Sequence, residues 1–148
     1  KSENLLFSGN TGLGKTFLSG CIARTVADRG FSVAYETASR FFNKMERARF
    51  ERDEQCRLET EGALAADLLI LDDLGTEMTR QFTSVALYSL INDRLLAGKP
   101  TIISTNLTTE EIARRYTPQI ASRLRGSYKR VPFVGEDIRI LKNGGTAL

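Results

Sequence analysis

The stretch GNTGLGKT at residues 9–16 constrains this chain more than any other feature. Three glycines in eight positions let the backbone adopt conformations closed to other residues, so successive N–H groups can converge on one point. A lysine and a threonine follow at once. They complete the pattern Gly-x-x-x-x-Gly-Lys-Ser/Thr, with Gly9, Gly14, Lys15 and Thr16 at its fixed positions. The pattern works only where a strand delivers the loop and a helix starts behind it, and both flanks comply. NLLFSG (4–9) is an apolar run ending in glycine, and Phe17, Leu18, Cys21, Ile22 and Val26 recur at helical spacing over 14–29.

Strand and helix signals go on alternating along the chain. DRG (28–30) stops the first helix, and FSVAYET (31–37) has the β-branched and aromatic composition of a second strand. Residues 40–58 mix charges with Phe41, Phe42, Met45 and Phe50, which predicts one or two amphipathic helices. DLLILDDLG (67–75) reads as a buried strand and residues 80–97 as a long helix. KPTIISTN (99–106) is a fourth strand behind a Gly98–Pro100 turn. Near-continuous apolar strands alternating with helices predict an α/β fold, a mostly parallel central sheet with helices on both faces. At 148 residues one core suffices.

In such a sheet, ligands bind at the carboxyl ends of the strands. There the chain offers Gly9, Asn10, Thr11, Gly12, Leu13, Gly14, Lys15 and Thr16 as a nucleotide-phosphate cradle at a helix N-terminus. Lys15 can reach the β- and γ-phosphates, and the Thr16 hydroxyl can ligate Mg2+. Magnesium prefers oxygen ligands, and Asp72 at the end of the third strand supplies a carboxylate to hold it. Asp73 can orient or deprotonate an attacking water, and Asn106, ending the next strand, can bond the γ-phosphate or that water.

Composition excludes several alternatives. The chain has no histidine, which removes histidine-based triads and histidine metal ligands. Cys21 and Cys56 lack metal-ligand spacing and are expected as free thiols in the cytoplasm. No apolar run reaches the roughly 18–20 residues of a membrane span. The chain opens on Lys1, almost at the loop, so residues 1–148 are expected to form one ATPase domain of a longer protein.

Taken in order, GNTGLGKT, LLILDDLG and TIISTN resemble the AAA+ ATPases, and within them the clade of DnaC and DnaI helicase loaders and IstB transposition helpers. The Asp-Asp-Leu-Gly ending marks the clade, because most AAA+ proteins carry Asp-Glu there. The resemblance implies a P-loop three-layer sandwich with little or no lid. Lys15 and Thr16 become the Walker A residues, Asp72 and Asp73 the Walker B pair, and Asn106 sensor 1. IASRLRG (120–126) resembles the family's box VII, which makes Arg123 the finger reaching a neighbouring subunit's nucleotide. GEDIRI (135–140) resembles a short sensor 2, with Arg139 contacting nucleotide in cis. The implied activity is slow, assembly-stimulated ATP hydrolysis with ATP and Mg2+, in an ATPase that loads a hexameric replicative helicase during primosome assembly and self-associates through Arg123.

Charge adds a nucleic-acid reading. The net charge is only +3, but residues 114–142 hold eight basic and two acidic residues. The segment between the second strand and Walker B resembles the extra helix that faces single-stranded DNA in assembled rings of this clade. Arg47, Arg49, Phe50 and Arg52 are its candidates, since aromatic stacking and backbone-tracking arginines bind such strands. Three alternatives stay open: an IstB-like transposition helper, a P-loop kinase, and a nucleotide-gated interaction module that does not hydrolyse.

Overall fold

A computed structural model describes residues 3–10, 12 and 14–135. The order of elements is β1 (Leu5–Gly9), α1 (Lys15–Asp28), β2 (Val33–Thr37), α2 (Ala38–Phe50), α3 (Glu54–Ala65), β3 (Leu68–Leu74), α4 (Gln81–Ala97), β4 (Thr101–Thr105), α5 (Thr109–Arg115), α6 (Pro118–Ser127) and β5 (Lys129–Phe133). The five strands form one sheet ordered β2-β3-β4-β1-β5, and every pairing is parallel. The predicted α/β sandwich is what forms.

The period of two along each strand divides the core. Leu6, Leu69, Leu71 and Ile103 face a layer built from α2, α3, α4, α5 and α6, packed with Phe41, Phe42, Leu87, Leu90, Ile91 and Ile120. Phe7, Leu68, Ile70 and Ile102 point the other way, against Ile22, Ala23 and Val26 of α1. Among the described residues, one helix therefore covers one face and five cover the other.

The stripe by which α1 meets the sheet differs from the sequence expectation. Phe17 is 78% exposed and Leu18 and Cys21 also face out, while Lys15 and Ser19 are buried. The inward face runs Lys15, Ser19, Ile22, Ala23, Val26, a helical spacing that begins at the loop lysine. The helix is thus phased to aim Lys15 inward, and Phe17 and Leu18 follow from that phase.

Residues 40–58 belong to two helices, which extend to 38 and 65 and join where Arg52 adopts a left-handed φ of 54°. Their starts are set by side chains. Thr37 accepts from Arg40 N at 3.3 Å and Asp53 from Cys56 N at 3.1 Å, caps worth roughly 1 kcal/mol each. Thr108 and Glu111 form a reciprocal capping box on α5, and Thr117 with Pro118 starts α6. At the end of α4, Arg94 is buried and donates to Thr101 Oγ1 (2.7 Å) and to the carbonyls of Leu64, Ala66 and Pro100 (2.7, 2.9 and 2.8 Å), tying α3, α4 and β4 together. Cys21 and Cys56 are free thiols.

The edge strand β5 lies beside β1, with Gly9 opposite Phe133. Its exposed Lys129, Arg130 and Pro132 suit an edge, where a missing N–H and added charge discourage further pairing. Gly9 has φ 138°, and a Cβ there would lie 2.3 Å from the Phe133 carbonyl oxygen. Only glycine fits where the loop leaves β1 against β5.

Candidate nucleotide site

The loop between β1 and α1 lies at the carboxyl end of the sheet, as a phosphate cradle requires. Gly12 and Gly14 have φ of 84° and 95°, and Gly14 is the N-cap of α1. Among the described residues no side chain caps this helix, and no acidic residue occupies its first turn. Its positive end is therefore left to an anion from outside. Thr11 and Leu13, named with the loop from the sequence, lie outside the described residues, as does Arg139.

The Lys15 ammonium is buried and donates to Gly9 O at 2.6 Å and Asn10 O at 2.8 Å, which ties the start of the loop to it. Burial pushes its pKa down, and the charges of Asp73 and then Asp72 oppose that shift. The Thr16 hydroxyl donates to Asp72 Oδ2 at 3.0 Å, across the gap between α1 and β3. Asp72 shares a face with Leu68 and Ile70 by strand alternation, so it meets α1 rather than the five-helix layer.

The next residue breaks that alternation. The register of β3 on β4 runs Leu71↔Ile103 and then Leu74↔Thr105, one extra residue on β3. This bulge re-aims its residues. Within it Asp73 takes φ 55° and donates its N–H to Ser104 Oγ at 3.0 Å. The Asp73 carboxyl is half-buried; burial raises its pKa most, the neighbouring Asp72 raises it further and Lys15 pulls it back. Lys15, Thr16, Asp72 and Asp73, drawn from two distant segments, are thus brought together.

Two participants went unread in the sequence. Ser104 on β4 donates to Asp72 Oδ1, and the Tyr35 hydroxyl on β2 donates to Asp72 Oδ2 at 3.0 Å. Burial and then the Asp72 charge hold the Tyr35 phenol well above its usual pKa. The signal that could have found Tyr35 is positional: β2 pairs with β3 up to Thr37↔Asp72, so its carboxyl end also borders the site.

Asn106 follows β4 on the exposed surface at the same end of the sheet. Arg123 stands exposed on α6, close to the Tyr88 phenol on α4, whose pKa is lowered by Asn92 and then by Arg123. On α2, Arg47 pairs with Asp53 at 2.9 Å and Glu51 at 3.8 Å. The Arg49 guanidinium lies 5.7 Å from the Phe50 ring centre and 6.0 Å from that of Phe82, two rings in edge contact at 5.5 Å. Phe50 is 65% exposed and Arg52 is exposed beside it. Phe82, from α4, joins this cluster and was not named with it from the sequence.

The donor set suits a nucleotide with magnesium. No group of three His, Cys, Asp or Glu among the described residues could hold a metal. Magnesium does not need one, since it binds through one or two carboxylates together with substrate phosphates. Thr16 and Asp72 offer the hard oxygens, and the glycine cradle lies beside them.

The family model described as IstB-like ATP binding protein matches residues 1–124. A Mycobacterium tuberculosis protein described as ATP-binding and in an insertion sequence is 30% identical over 106 residues, 70% of this chain and 41% of that one. The replicative helicase loader DnaC of Escherichia coli is 26% identical over 125 residues, 82% of this chain and 50% of the loader. This chain thus spans about half the length of the curated relatives it matches. Among solved structures, the replication initiator DnaA bound to AMPPCP and single-stranded DNA superposes with a TM-score of 0.79 at 21% identity, over 96% of this chain and 44% of that one. No described helix is long and apolar enough to cross a membrane.

Proposed function

The chain belongs to the IstB-like ATP-binding protein family, and from that premise we propose that it binds and slowly hydrolyses ATP with Mg2+ to control loading of a replicative helicase in the cytoplasm. The observation that carries the reading is the meeting of Thr16 with Asp72 beside the buried Lys15, at an uncapped helix N-terminus. The amides of Gly12, Gly14 and the first turn of α1 hold phosphate oxygens, and Lys15 adds a fixed charge. Thr16 and Asp72 hold the magnesium ion, which when bound neutralises charge on the phosphates.

Asp73 orients the attacking water and takes up its proton, and Asn106 assists. Arg123 acts in trans on a neighbouring copy, so hydrolysis depends on assembly; Arg139 serves in cis. Asp73 is one methylene shorter than the glutamate usual in AAA+ proteins, which supports turnover below about 10 s⁻¹, the enzyme median. Arg47, Arg49, Phe50 and Arg52 contact single-stranded DNA, a role supported by the exposed Arg49 and Phe50 beside the half-buried Phe82 and by the single-stranded DNA in the DnaA structure.

Calorimetric titration of ATP and ADP, with and without magnesium, tests the core of the reading. Wild-type protein is expected to show magnesium-dependent heat and Lys15→Ala none. Equal binding by both proteins would remove it. A second reading, ATPase helper of a transposase, is favoured by the insertion-sequence relative, whose identity exceeds that of the loader. Co-purification with a replicative helicase supports loading, and co-purification with a transposase supports the helper.

A further inference from the structure

We infer that Tyr35 sets the magnesium requirement of the nucleotide site, its hydroxyl holding an acceptor position on Asp72 against a hydrated magnesium ion. The inference rests on Thr16 and Asp72 being the metal-holding pair.

A carboxylate offers about four lone-pair positions, two on each oxygen. On Asp72, Oδ1 accepts from Ser104, while Oδ2 accepts from both Thr16 and Tyr35, each at 3.0 Å. The Thr16 bond is compatible with metal binding, because the hydroxyl proton points at Asp72 and leaves the oxygen's lone pairs for the ion. Ser104 takes one of the two positions on the other oxygen. Among the described residues, Tyr35 spends capacity on Oδ2 without offering the ion a loop ligand.

Magnesium dehydrates reluctantly, so it approaches a carboxylate with waters that need acceptors. Tyr35 therefore competes with it for Oδ2. The phenol is not stranded when it yields, since the Thr16 carbonyl oxygen lies 3.5 Å from the same hydroxyl. Its ring stays packed against the α1 face of the sheet, beside Ile70. Tyr35 is thus a positioning residue with two acceptors within reach. Thr16 and Ser104 still orient Asp72 once Tyr35 has let go.

The test is a magnesium titration of ATP binding in wild-type protein and Tyr35→Phe, with a parallel titration in EDTA. The phenylalanine variant is expected to reach half-saturation at about tenfold lower magnesium, the equivalent of one charge-assisted hydrogen bond, with metal-free ATP binding unchanged. A merely structural tyrosine would weaken both titrations together. Because the chain has four tyrosines and no tryptophan, a near-ultraviolet difference spectrum gives a second readout. Adding magnesium to ATP-loaded wild type should shift a tyrosine band that Tyr35→Phe lacks.

An unchanged or raised magnesium requirement, or a band that persists in the variant, overturns the inference. If Tyr35→Phe does not fold, the wild-type spectrum decides, and absence of any magnesium-induced tyrosine shift overturns it. Wild-type ATP binding indifferent to magnesium is a separate outcome, which removes the metal-holding reading of Thr16 and Asp72 and Tyr35's role with it.

Discussion

Two adjacent carboxylates, Asp72 and Asp73, have been given different work by one inserted residue. Asp72 continues the strand and meets three hydroxyl donors; Asp73, in the bulge at φ 55°, is turned out of the ladder with its pKa raised by burial. A base with its pKa raised toward the working pH accepts a proton more readily, which suits Asp73 to the attacking water. Asp73→Asn keeps size and can still accept a hydrogen bond, but cannot take that proton. It is expected to bind ATP within about twofold of wild type and to hydrolyse it at least about 100-fold more slowly. Phosphate release under single-turnover conditions checks this, and a variant hydrolysing at the wild-type rate would move the base elsewhere. Lys15, Thr16, Asp72 and Asp73 were legible in the sequence because each lies in a short motif of fixed spacing. Tyr35 and Ser104 were not, because their bonds to Asp72 run sideways between strands and depend on sheet order.

At the scale of elements, the strands were legible where they are buried on both faces and so read as apolar runs, as in LLILDDL. KRVPF was missed because an edge strand carries charges and proline in place of that run. The apolar face of α1 was misplaced for a different reason: the site phases the helix through Lys15, and apolar spacing alone does not report that. In α2 the sequence read Phe41, Phe42, Met45 and Phe50 alike, but the first two are core and Phe50 is 65% exposed. Arg47 is engaged in α2's own C-terminal ion pairs, which leaves Arg49 and Phe50, joined by Phe82, as the better DNA-facing pair. Charge reversal of Arg47, Arg49 and Arg52 together is expected to weaken single-strand binding and flatten its salt dependence by about 1.4 in slope, near 0.7 for each phosphate that Arg49 and Arg52 no longer neutralise. Fluorescence anisotropy at several salt concentrations measures both, and an unaltered slope would clear this helix of DNA binding.

At the scale of the whole molecule, the proposed machinery is divided between copies. Asp73 and Lys15 are proposed to serve the nucleotide of their own chain, and Arg123, on the exposed face of α6 near Tyr88 of α4, to serve the next. An arginine supplied in trans contributes about 10³–10⁵ in rate, so an isolated copy would bind ATP and barely turn it over. Turnover at the site would then report assembly. Two defective variants can separate this arrangement from one in which Arg123 acts at home. Arg123→Ala retains an intact base and Asp73→Asn an intact finger, and each alone is expected to fall by at least about 100-fold. Mixed, they can form a junction in which the arginine of one copy meets the base of the other, so turnover should recover and rise with total concentration. A finger working in cis would leave each defect confined to its own chain. The mixture would then show only the average of two inactive proteins, and assembly would have no hold on hydrolysis.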